Sequence, residues 1–472
     1  MSRPAAANAR TAILAAALSL ATLAAPAAAG APRPPDRAGC DRPQWVPAIG
    51  SACPVPGGFL VSVGDDAVFT HGGDPVPSDR RADVGGDGMR KPACIKSAAT
   101  EFHVHVIYAR APDVPDNFAK RLYMIRREVE RMNSFVHQEA KEFKRSLDLR
   151  VLCSGKDILV DRVTLQTPLE QTSFSSVTNE LFEMGYNSVM AKYAVYFDGR
   201  FPGAPGGTGT LDMGDSSSGP GNANNIGPDW SVTWGIPEGG AAGVMLHELG
   251  HNLGAVVRDA PNSSGAGHCN DGSDVMCYDD HGPYSDGFKA NVCSTTHFDC
   301  RHNDYFHPKP GKSNFLYDHW NIAGSQQRFL AGCTYKTGVF TAGAGGADPE
   351  GEAELVRKQF PQEQRPQQTS FVAKTYTVPK ACRGRAFTAS ATVEPPSSLT
   401  GSDAGALAEQ VGYPVVARQV RFDVDVCWLK GSTLLRCHAG GTFEHGKVPS
   451  GATKARVILN AGVSAIVVLN VV

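Results

Sequence analysis

The sequence predicts a mixed α+β or α/β domain, with a twisted mixed sheet, two long helices and a loop-rich C-terminal part, followed by a small all-β, sandwich-like domain. Three observations predict this fold class. Strand and helix patterns alternate first, a stretch rich in Gly, Glu, Gln and Pro follows, and only β-prone runs occur after it. The 472 residues, of which 42% are hydrophobic, are enough for two to three domains with buried cores.

Residues 1–29 have the pattern of a secretory signal peptide. Arg3 and Arg10 precede an apolar stretch, and small residues before position 30 allow cleavage after Ala29. The apolar stretch is too short for a membrane anchor, and Gly and Pro follow it. We therefore expect a secreted, extracellular protein without a transmembrane segment, whose 12 cysteines form disulfides.

Residues 30–94 are rich in Pro and Gly and contain only a short apolar patch at 59–61. This composition predicts a loop-rich N-terminal extension or a propeptide, and the sequence does not decide between the two. Cys40 and Cys53 are candidates for a local disulfide.

Residues 95–335 carry the alternating patterns of the first domain. From about residue 117 to 143, apolar residues recur at spacings of three and four, which keeps one face of a long helix buried. A shorter helix is predicted at 177–184, and another long helix at about 239–253 after a Gly-rich loop. Strand patterns occupy residues 102–108, 147–153, 158–165 and 193–197.

Residues 336–370 have the composition of a linker, with few apolar residues. Residues 371–472 show no helical periodicity, so they predict a small all-β accessory domain that could bind a surface or a substrate. The β-prone runs lie at 371–378, 386–393, 415–428, 454–459 and 463–472.

The balance of charge excludes nucleic-acid binding as the main function. The chain has 45 Lys and Arg against 47 Asp and Glu, whereas DNA and RNA binders need a clustered cationic excess. The sequence makes no prediction of the oligomeric state.

The third predicted helix contains the pattern His247-Glu248-Leu-Gly-His251. Histidines at i and i+4 lie on one helix face, so both imidazoles can bind one Zn²⁺, with Glu248 beside an open coordination position. Zinc lowers the pKa of water, and a neighbouring carboxylate can accept the proton that the water loses. The apolar residues before His247 favour a buried helix over a surface helix with solvated polar side chains.

Two further features indicate a protein family. Gly254 lies three residues after His251, and Met276-Cys-Tyr278 follows downstream. A His-Glu-x-x-His-x-x-Gly helix followed by a Met-x-Tyr turn resembles the metzincin zinc endopeptidases, and most of all a secreted actinobacterial type. The resemblance covers roughly residues 96–333.

The resemblance implies a metzincin-like catalytic domain that hydrolyses protein or peptide substrates with Zn²⁺. It implies that Glu248 is the general base and that Met276 packs beneath the metal. It also implies that Tyr278 contacts the metal or steadies the oxyanion, although a packed core tyrosine is the alternative. An edge strand at about 208–213 would bind substrate backbone by strand addition.

The chain departs from the family at the third metal ligand. Metzincins have His or Asp three residues after the Gly, but Val257 stands there and cannot bind a metal. We expect His268 to replace it, with Asp259 as the second candidate and weak or absent zinc binding as the third outcome. Cys269 and Cys277 flank this loop, and a bridge between them would tie His268 to the residue next to Met276.

Other polar groups are weaker candidates. His103 and His105 point to the same face of a strand and are more typical of packed or surface histidines. Four histidines after residue 295 lack regular ligand spacing. Three acidic residues could hold Ca²⁺, but they lack a calcium-loop pattern. These two sets are His297, His302, His307 and His319, and Asp279, Asp280 and Asp286.

Two alternatives to a secreted zinc endopeptidase remain. The first is a non-catalytic secreted binding or surface protein on a metzincin scaffold, which Val257 favours. The second is a zinc amidase that acts on a non-peptide amide, because the same chemistry cleaves both kinds of bond.

Overall fold

The structure, a computed structural model, describes residues 43–64, 66–75, 89–236, 241–340, 371–393, 423–441, 443–460 and 465–471. The predicted signal peptide, Cys40 and most of the predicted linker lie outside these residues. The described residues form a mixed α/β protein. It has one central sheet, three smaller sheets and three α-helices.

The N-terminal part forms a four-stranded antiparallel sheet in the order β1-β2-β3-β4. The expectation of a loop-rich extension is wrong for these residues, because short strands alternate with tight turns at Gly57 and Gly64, both at positive φ. Val61 and Val63 point inward and are fully buried. The strands are β1 (Gln44–Val46), β2 (Gly50–Val55), β3 (Gly58–Val63) and β4 (Asp66–Thr70).

The central sheet has nine strands and is mixed. Its main order is β11-β12-β10-β6-β7-β13, in which β12, β10, β6 and β7 run parallel and β11 is an antiparallel edge strand. The strands are β5 (Ala93–Ile95), β6 (His103–Arg110), β7 (Asp148–Ser154), β8 (Asp157–Ile158), β9 (Val160–Thr164), β10 (Ala191–Phe197), β11 (Gly207–Gly209), β12 (Asp229–Trp234) and β13 (Leu330–Ala331).

Three helices cover the two faces of this sheet. They are α1 (Phe118–Glu142), α2 (Phe174–Glu183) and α3 (Ala241–Asn252). The first and third share one hydrophobic core, whereas α2 packs with the N-terminal sheet on the other face. Because both faces are covered, all seven residues of β10 are buried. Helix α2 begins three residues before the predicted start, because Ser173 and Ser176 form a capping box.

Two disulfides, Cys269–Cys277 and Cys293–Cys300, lie in the loop-rich region between α3 and β13. The described residues contain five disulfides, a number typical of proteins from oxidising compartments outside the cytosol. The considered pair Cys269–Cys277 is formed. Cys53 is also disulfide-bonded. The other pairs are Cys94–Cys153, Cys293–Cys300, Cys333–Cys382 and Cys427–Cys437.

The C-terminal part consists of two four-stranded antiparallel sheets that share one core, with Phe387, Trp428, Val457 and Leu469 at its centre. Strand β14 pairs with β21 over seven residues, so structure continues into the first residues of the predicted linker. The strands are β14 (Thr334–Phe340), β15 (Phe371–Thr377), β16 (Ala386–Val393), β17 (Asp423–Lys430), β18 (Thr433–Gly441), β19 (Phe443–Lys447), β20 (Lys454–Asn460) and β21 (Ala465–Val471).

Among the described residues, no helix is both long and apolar enough to cross a membrane.

Candidate metal centre

Helix α3 places the candidate residues beneath the edge of the central sheet. Its apolar side, with Met245, Leu246 and Leu249, is fully buried in the core shared with α1. The helix ends at Asn252, and Gly254, with a φ of +84°, turns the chain away two residues later. A Cβ at Gly254 would lie 2.5 Å from Nε1 of Trp320, which caps the helix by donating to the carbonyl of Leu253.

His247, His251 and His268 converge on one point. The Nε2 atom of His247 lies 3.2 Å from Nε2 of His251 and 3.3 Å from Nε2 of His268. Ligand nitrogens around a tetrahedral zinc ion, each about 2.0–2.1 Å from the metal, are separated by about 3.3 Å. The spacing of these nitrogens therefore fits a metal ion between them.

The outer nitrogens of two histidines are held by acceptors. Nδ1 of His247 lies 2.7 Å from the carbonyl oxygen of Val275, and Nδ1 of His268 lies 2.8 Å from Oδ2 of Asp280. These contacts favour a proton on Nδ1 and leave Nε2 free to bind a metal, as outer partners of metal-bound histidines usually do. The tautomers are inferred from these hydrogen-bond partners.

His268 is positioned by a loop that the Cys269–Cys277 disulfide closes. Gly267 has a φ of +100°, and the amide of Ser264 donates to the carbonyl of His268 at 2.8 Å. The disulfide thus joins the neighbour of His268 to the neighbour of Met276. As a result, the loop places the His268 imidazole beside α3, although His268 is not part of that helix.

The other two positions considered for the third ligand lie elsewhere. Val257 is buried in a small apolar cluster with Ala260 and Trp320. Asp259 is exposed, and among the described residues it belongs to no group of metal-ligating side chains with ligand atoms within 4.8 Å of one another. The structure therefore brings His268, and not Asp259, to His247 and His251.

Met276 lies directly under the helix between the two histidines. A Cβ at Gly250 would be only 2.4 Å from its Sδ atom, so the helix can approach Met276 this closely only because residue 250 is glycine. Met276 is fully buried. Its position is consistent with a packing role beneath the centre.

Glu248 is fully buried beside the histidines. Neither of its carboxylate oxygens has a hydrogen-bond partner among the described residues. Burial raises the pKa of Glu248 well above its usual value, and the nearby Asp74 carboxylate raises it further. A Cβ at Gly207 would lie 2.2 Å from Oε1 of Glu248, so the edge strand β11 can cover this carboxylate only with glycine there.

Tyr278 faces the same centre. Its ring centroid lies 4.3 Å from that of His268, and its hydroxyl donates to Oδ1 of Asp74. Burial raises the pKa of this phenol, as does the Asp74 carboxylate. The residue is half-buried.

Two residues that the sequence did not single out also enter the centre. Asp74 has a carboxylate oxygen 3.1 Å from Nε2 of His268 and another 3.3 Å from Nε2 of His247. The His71 ring lies 4.4 Å from the His251 ring. Both residues come from the Gly-rich stretch after β4, where the sequence offers no periodic signal and only a His and an Asp three residues apart.

The charges of the centre are strongly coupled. Burial favours the neutral form of Asp74, but His71, His247 and His268 outweigh burial and hold its pKa well below the usual value. Burial lowers the pKa of His71 to about 4. Burial also opposes the charged form of His268, yet Asp74 and Asp280 raise its pKa to about 9.

The weaker candidates have local partners. His103 is buried, with Nδ1 2.6 Å from the carbonyl oxygen of Glu101, and burial lowers its pKa to about 4. His105 pairs with Asp161. The remaining histidines pair or pack locally, His297 and His302 with Glu139 and Glu142, His307 with Phe143, and His319 with Phe315.

The three acidic residues considered for Ca²⁺ do not act together. Asp280 accepts hydrogen bonds from Ser264 and Ser285 and contacts His268. Asp279 pairs with the exposed His281. Among the described residues, these acids and Asp286 do not form a group with ligand atoms within 4.8 Å of one another, so the calcium prediction gains no support here.

We expect Asp280→Asn to lower the affinity for Zn²⁺ by about 10–100-fold, the usual cost of losing the outer partner of a metal-bound histidine. The amide keeps the shape of the side chain but no longer provides the carboxylate that orients His268. Competition with a chromogenic chelator measures the affinity. Asp279→Asn, a change of the exposed neighbouring residue, is the matched control, and equal affinities for the two variants would contradict the role given to Asp280.

Several solved structures resemble this chain distantly. No family model matches the chain, and no curated protein matches it significantly. Wild-type OgpA from Akkermansia muciniphila is 12% identical, with 80% of this chain and 88% of that chain covered and a TM-score of 0.25. Catalytically inactive OgpA in complex with an O-glycopeptide substrate is 10% identical, with 80% and 95% covered and a TM-score of 0.24.

A periplasmic inhibitor of g-type lysozyme, PliG from Aeromonas hydrophila, is 10% identical, with 29% of this chain and 85% of that chain covered and a TM-score of 0.15. All of these TM-scores are low, so the chemistry of the centre has to be argued from its own geometry.

Proposed function

We propose that the protein is a secreted zinc-dependent endopeptidase in which His247, His251 and His268 hold the metal. The observation that carries this proposal is the convergence of three Nε2 atoms at 3.2–3.3 Å beside a buried carboxylate. Three nitrogen ligands leave one position of a tetrahedral ion for water or substrate, which is the pattern of catalytic zinc sites.

Glu248 is the general base of the proposed reaction. A bound zinc ion supplies Lewis acidity, which acidifies water and polarises the scissile carbonyl. The Glu248 carboxylate accepts the proton of the attacking water and then donates it to the departing amine. Burial raises the pKa of Glu248, which makes its carboxylate a stronger proton acceptor.

Tyr278 is the proposed oxyanion partner. Its hydroxyl already points to the centre, where it donates to a carboxylate oxygen of Asp74. The same donor can stabilise the negative charge that develops on a carbonyl oxygen during attack.

The edge strand β11 is the proposed substrate-binding strand. It is the last strand at one side of the central sheet and passes directly over Glu248. An extended peptide that pairs with this edge would place its carbonyl groups near the centre, and such main-chain pairing is largely independent of side-chain identity.

Zinc dependence and a substrate panel test the proposal. Residues 69–74 lie along β11, and the Asp74 carboxylate lies at His247 and His268. The assay therefore uses both the full chain and the Asp74→Ala chain, in which this carboxylate is removed. We expect one zinc ion per chain, cleavage of unstructured peptides, loss of cleavage with a chelator and recovery with Zn²⁺. Zinc binding without any amide cleavage in either chain would favour the non-catalytic alternative, and cleavage of non-peptide amides alone would favour the amidase.

A further inference from the structure

A second group of histidines and carboxylates lies at the C-terminal end of α1 and shares no residue with the metal centre at α3. Glu139 and Glu142 belong to the last turns of this helix, and His297 and His302 come from the segment 293–302. One ligand atom from each of Glu139, Glu142 and His302 lies within 4.8 Å of the other two. Glu142 and His302 are 160 positions apart, so no local ligand spacing reveals this group.

The Glu139 carboxylate is held at one oxygen and open at the other. Its Oε1 atom lies 3.0 Å from Nδ1 of His297 and accepts a hydrogen bond from the amide of Phe298 at 3.0 Å. Its Oε2 atom lies 3.6 Å from Nδ1 of His302, and both of these atoms are buried without a hydrogen-bond partner among the described residues. Glu139 is only 5% exposed. A buried oxygen without a donor is costly, and a cation beside it would remove that cost.

The distances in this group suit one metal ion. Ligand atoms around a tetrahedral ion are separated by about 3.3 Å. The Oε2 atom of Glu139 lies 3.6 Å from Nδ1 of His302, and the Oε2 atom of Glu142 lies 3.2 Å from Nε2 of the same ring. The two donors at Oε1 of Glu139 correspond to the outer partners that usually orient a metal-bound carboxylate. An imidazole together with carboxylates favours Zn²⁺ and similar divalent ions over Ca²⁺.

The segment 293–302 is held firmly at this place. His302 has a φ of +54°, which is uncommon for a residue other than glycine, and the Asn314 side chain donates to its carbonyl at 3.0 Å. The amide of Val275 donates to the carbonyl of His297 at 3.0 Å, so the segment also pairs with the residue that precedes Met276. An ion between α1 and this segment would therefore brace the chain that leads to Met276.

We propose that Glu139, Glu142 and His302 bind a second divalent metal ion, of which Zn²⁺ is the representative, and that His297 positions Glu139 for it. The ion cross-links the end of α1 to the segment 293–302. Its path from solvent passes the Glu142 side chain, which is 49% exposed. This ion has one nitrogen ligand where the centre at α3 has three, so it binds more weakly and is removed by desalting, which leaves one ion per chain.

Titration of the desalted full chain with Zn²⁺ tests the proposal through Glu142→Gln. We expect the unmodified chain to bind one further ion, and the variant to bind it at least about 10-fold more weakly, because an amide is a poorer ligand than a carboxylate. Glu142 is exposed at the end of α1, so the variant keeps the fold. Glu183→Gln, at the exposed end of α2, is the matched control and should bind like the unmodified chain.

His302→Asn tests the nitrogen ligand, with His281→Asn as its matched control. Both histidines have a positive φ, which asparagine tolerates, and His281 lies 3.2 Å from the single carboxylate of Asp279. We expect only His302→Asn to lower the affinity for the further Zn²⁺, by at least about 10-fold. Added Zn²⁺ should raise the Tm of the unmodified chain and of His281→Asn, and should raise that of His302→Asn far less.

Anomalous diffraction at the zinc edge from crystals of the full chain locates the ion, and we expect a peak between Glu139, Glu142 and His302. Equal Zn²⁺ affinity for the unmodified chain, Glu142→Gln and His302→Asn would overturn the proposal, as would a further ion that binds elsewhere. None of these measurements depends on the centre at α3. Failure of that centre would appear instead in the ion content after desalting and in peptide cleavage.

Discussion

Glu248→Gln is expected to lower kcat for peptide cleavage by about 10²–10⁴-fold while the zinc content stays at one ion per chain. Glutamine has the shape of the glutamate side chain but cannot accept a proton from water. Apart from Glu248, the described carboxylates that contact these histidines are Asp74 and Asp280, and their oxygens already lie at imidazole nitrogens. The loss should therefore appear in kcat.

The comparison uses whichever chain is active in the cleavage assay, the full chain or Asp74→Ala. Glu183→Gln, the same substitution at an exposed position on α2, is the control and should cleave like the parent. Zinc content measured by atomic emission separates a chemical defect from metal loss. If Glu248→Gln cleaved peptides at the parental rate, Glu248 would not be the general base.

His268→Ala is expected to lower the affinity for Zn²⁺ by more than about 100-fold, which exceeds the cost of changing an outer partner. The variant removes one of the three nitrogens that converge at the centre, whereas Asp259→Ala changes an exposed side chain and should leave the affinity unchanged. Competition with a chromogenic chelator measures both. If Asp259→Ala lowered the affinity for Zn²⁺ and His268→Ala did not, Asp259 would be the third ligand.

The double variant His268→Ala, Asp280→Asn sharpens this test. Asp280 acts on the metal only through His268, which its carboxylate contacts at 2.8 Å. The second substitution should therefore add almost nothing to the first, because effects on one contact are not additive. If the two substitutions lowered the affinity for Zn²⁺ additively, Asp280 would influence the centre through a contact other than that with His268.

Local sequence patterns predicted the parts of the molecule that depend on near neighbours along the chain. The long helix α1 followed from apolar residues spaced by three and four, of which Ile125, Val129 and Met132 are fully buried. The pairing of His247 with His251 followed from helical geometry alone, since residues four apart share one face. Strands β6, β7, β9 and β10 of the central sheet followed in the same way, whereas β5, β12 and β13 were not predicted.

The N-terminal sheet was missed for a physical reason. Its strands are short, and Pro and Gly lie in and between them, so no period of two extends over enough residues to be recognised. The strands gain their stability from packing against α2, which a local pattern does not contain.

The sequence by itself determined the helix, its two histidines, the carboxylate between them and a choice between two third ligands. Only the tertiary structure placed His268, and not Asp259, beside these histidines and brought Asp74 to the centre. His268 and His247 are 21 positions apart, and Tyr278 and Asp74 are 204 apart. These contacts between distant residues depend on the path of the loops. A disulfide, glycines at positive φ and strand pairing fix that path, and local sequence spacing does not predict it.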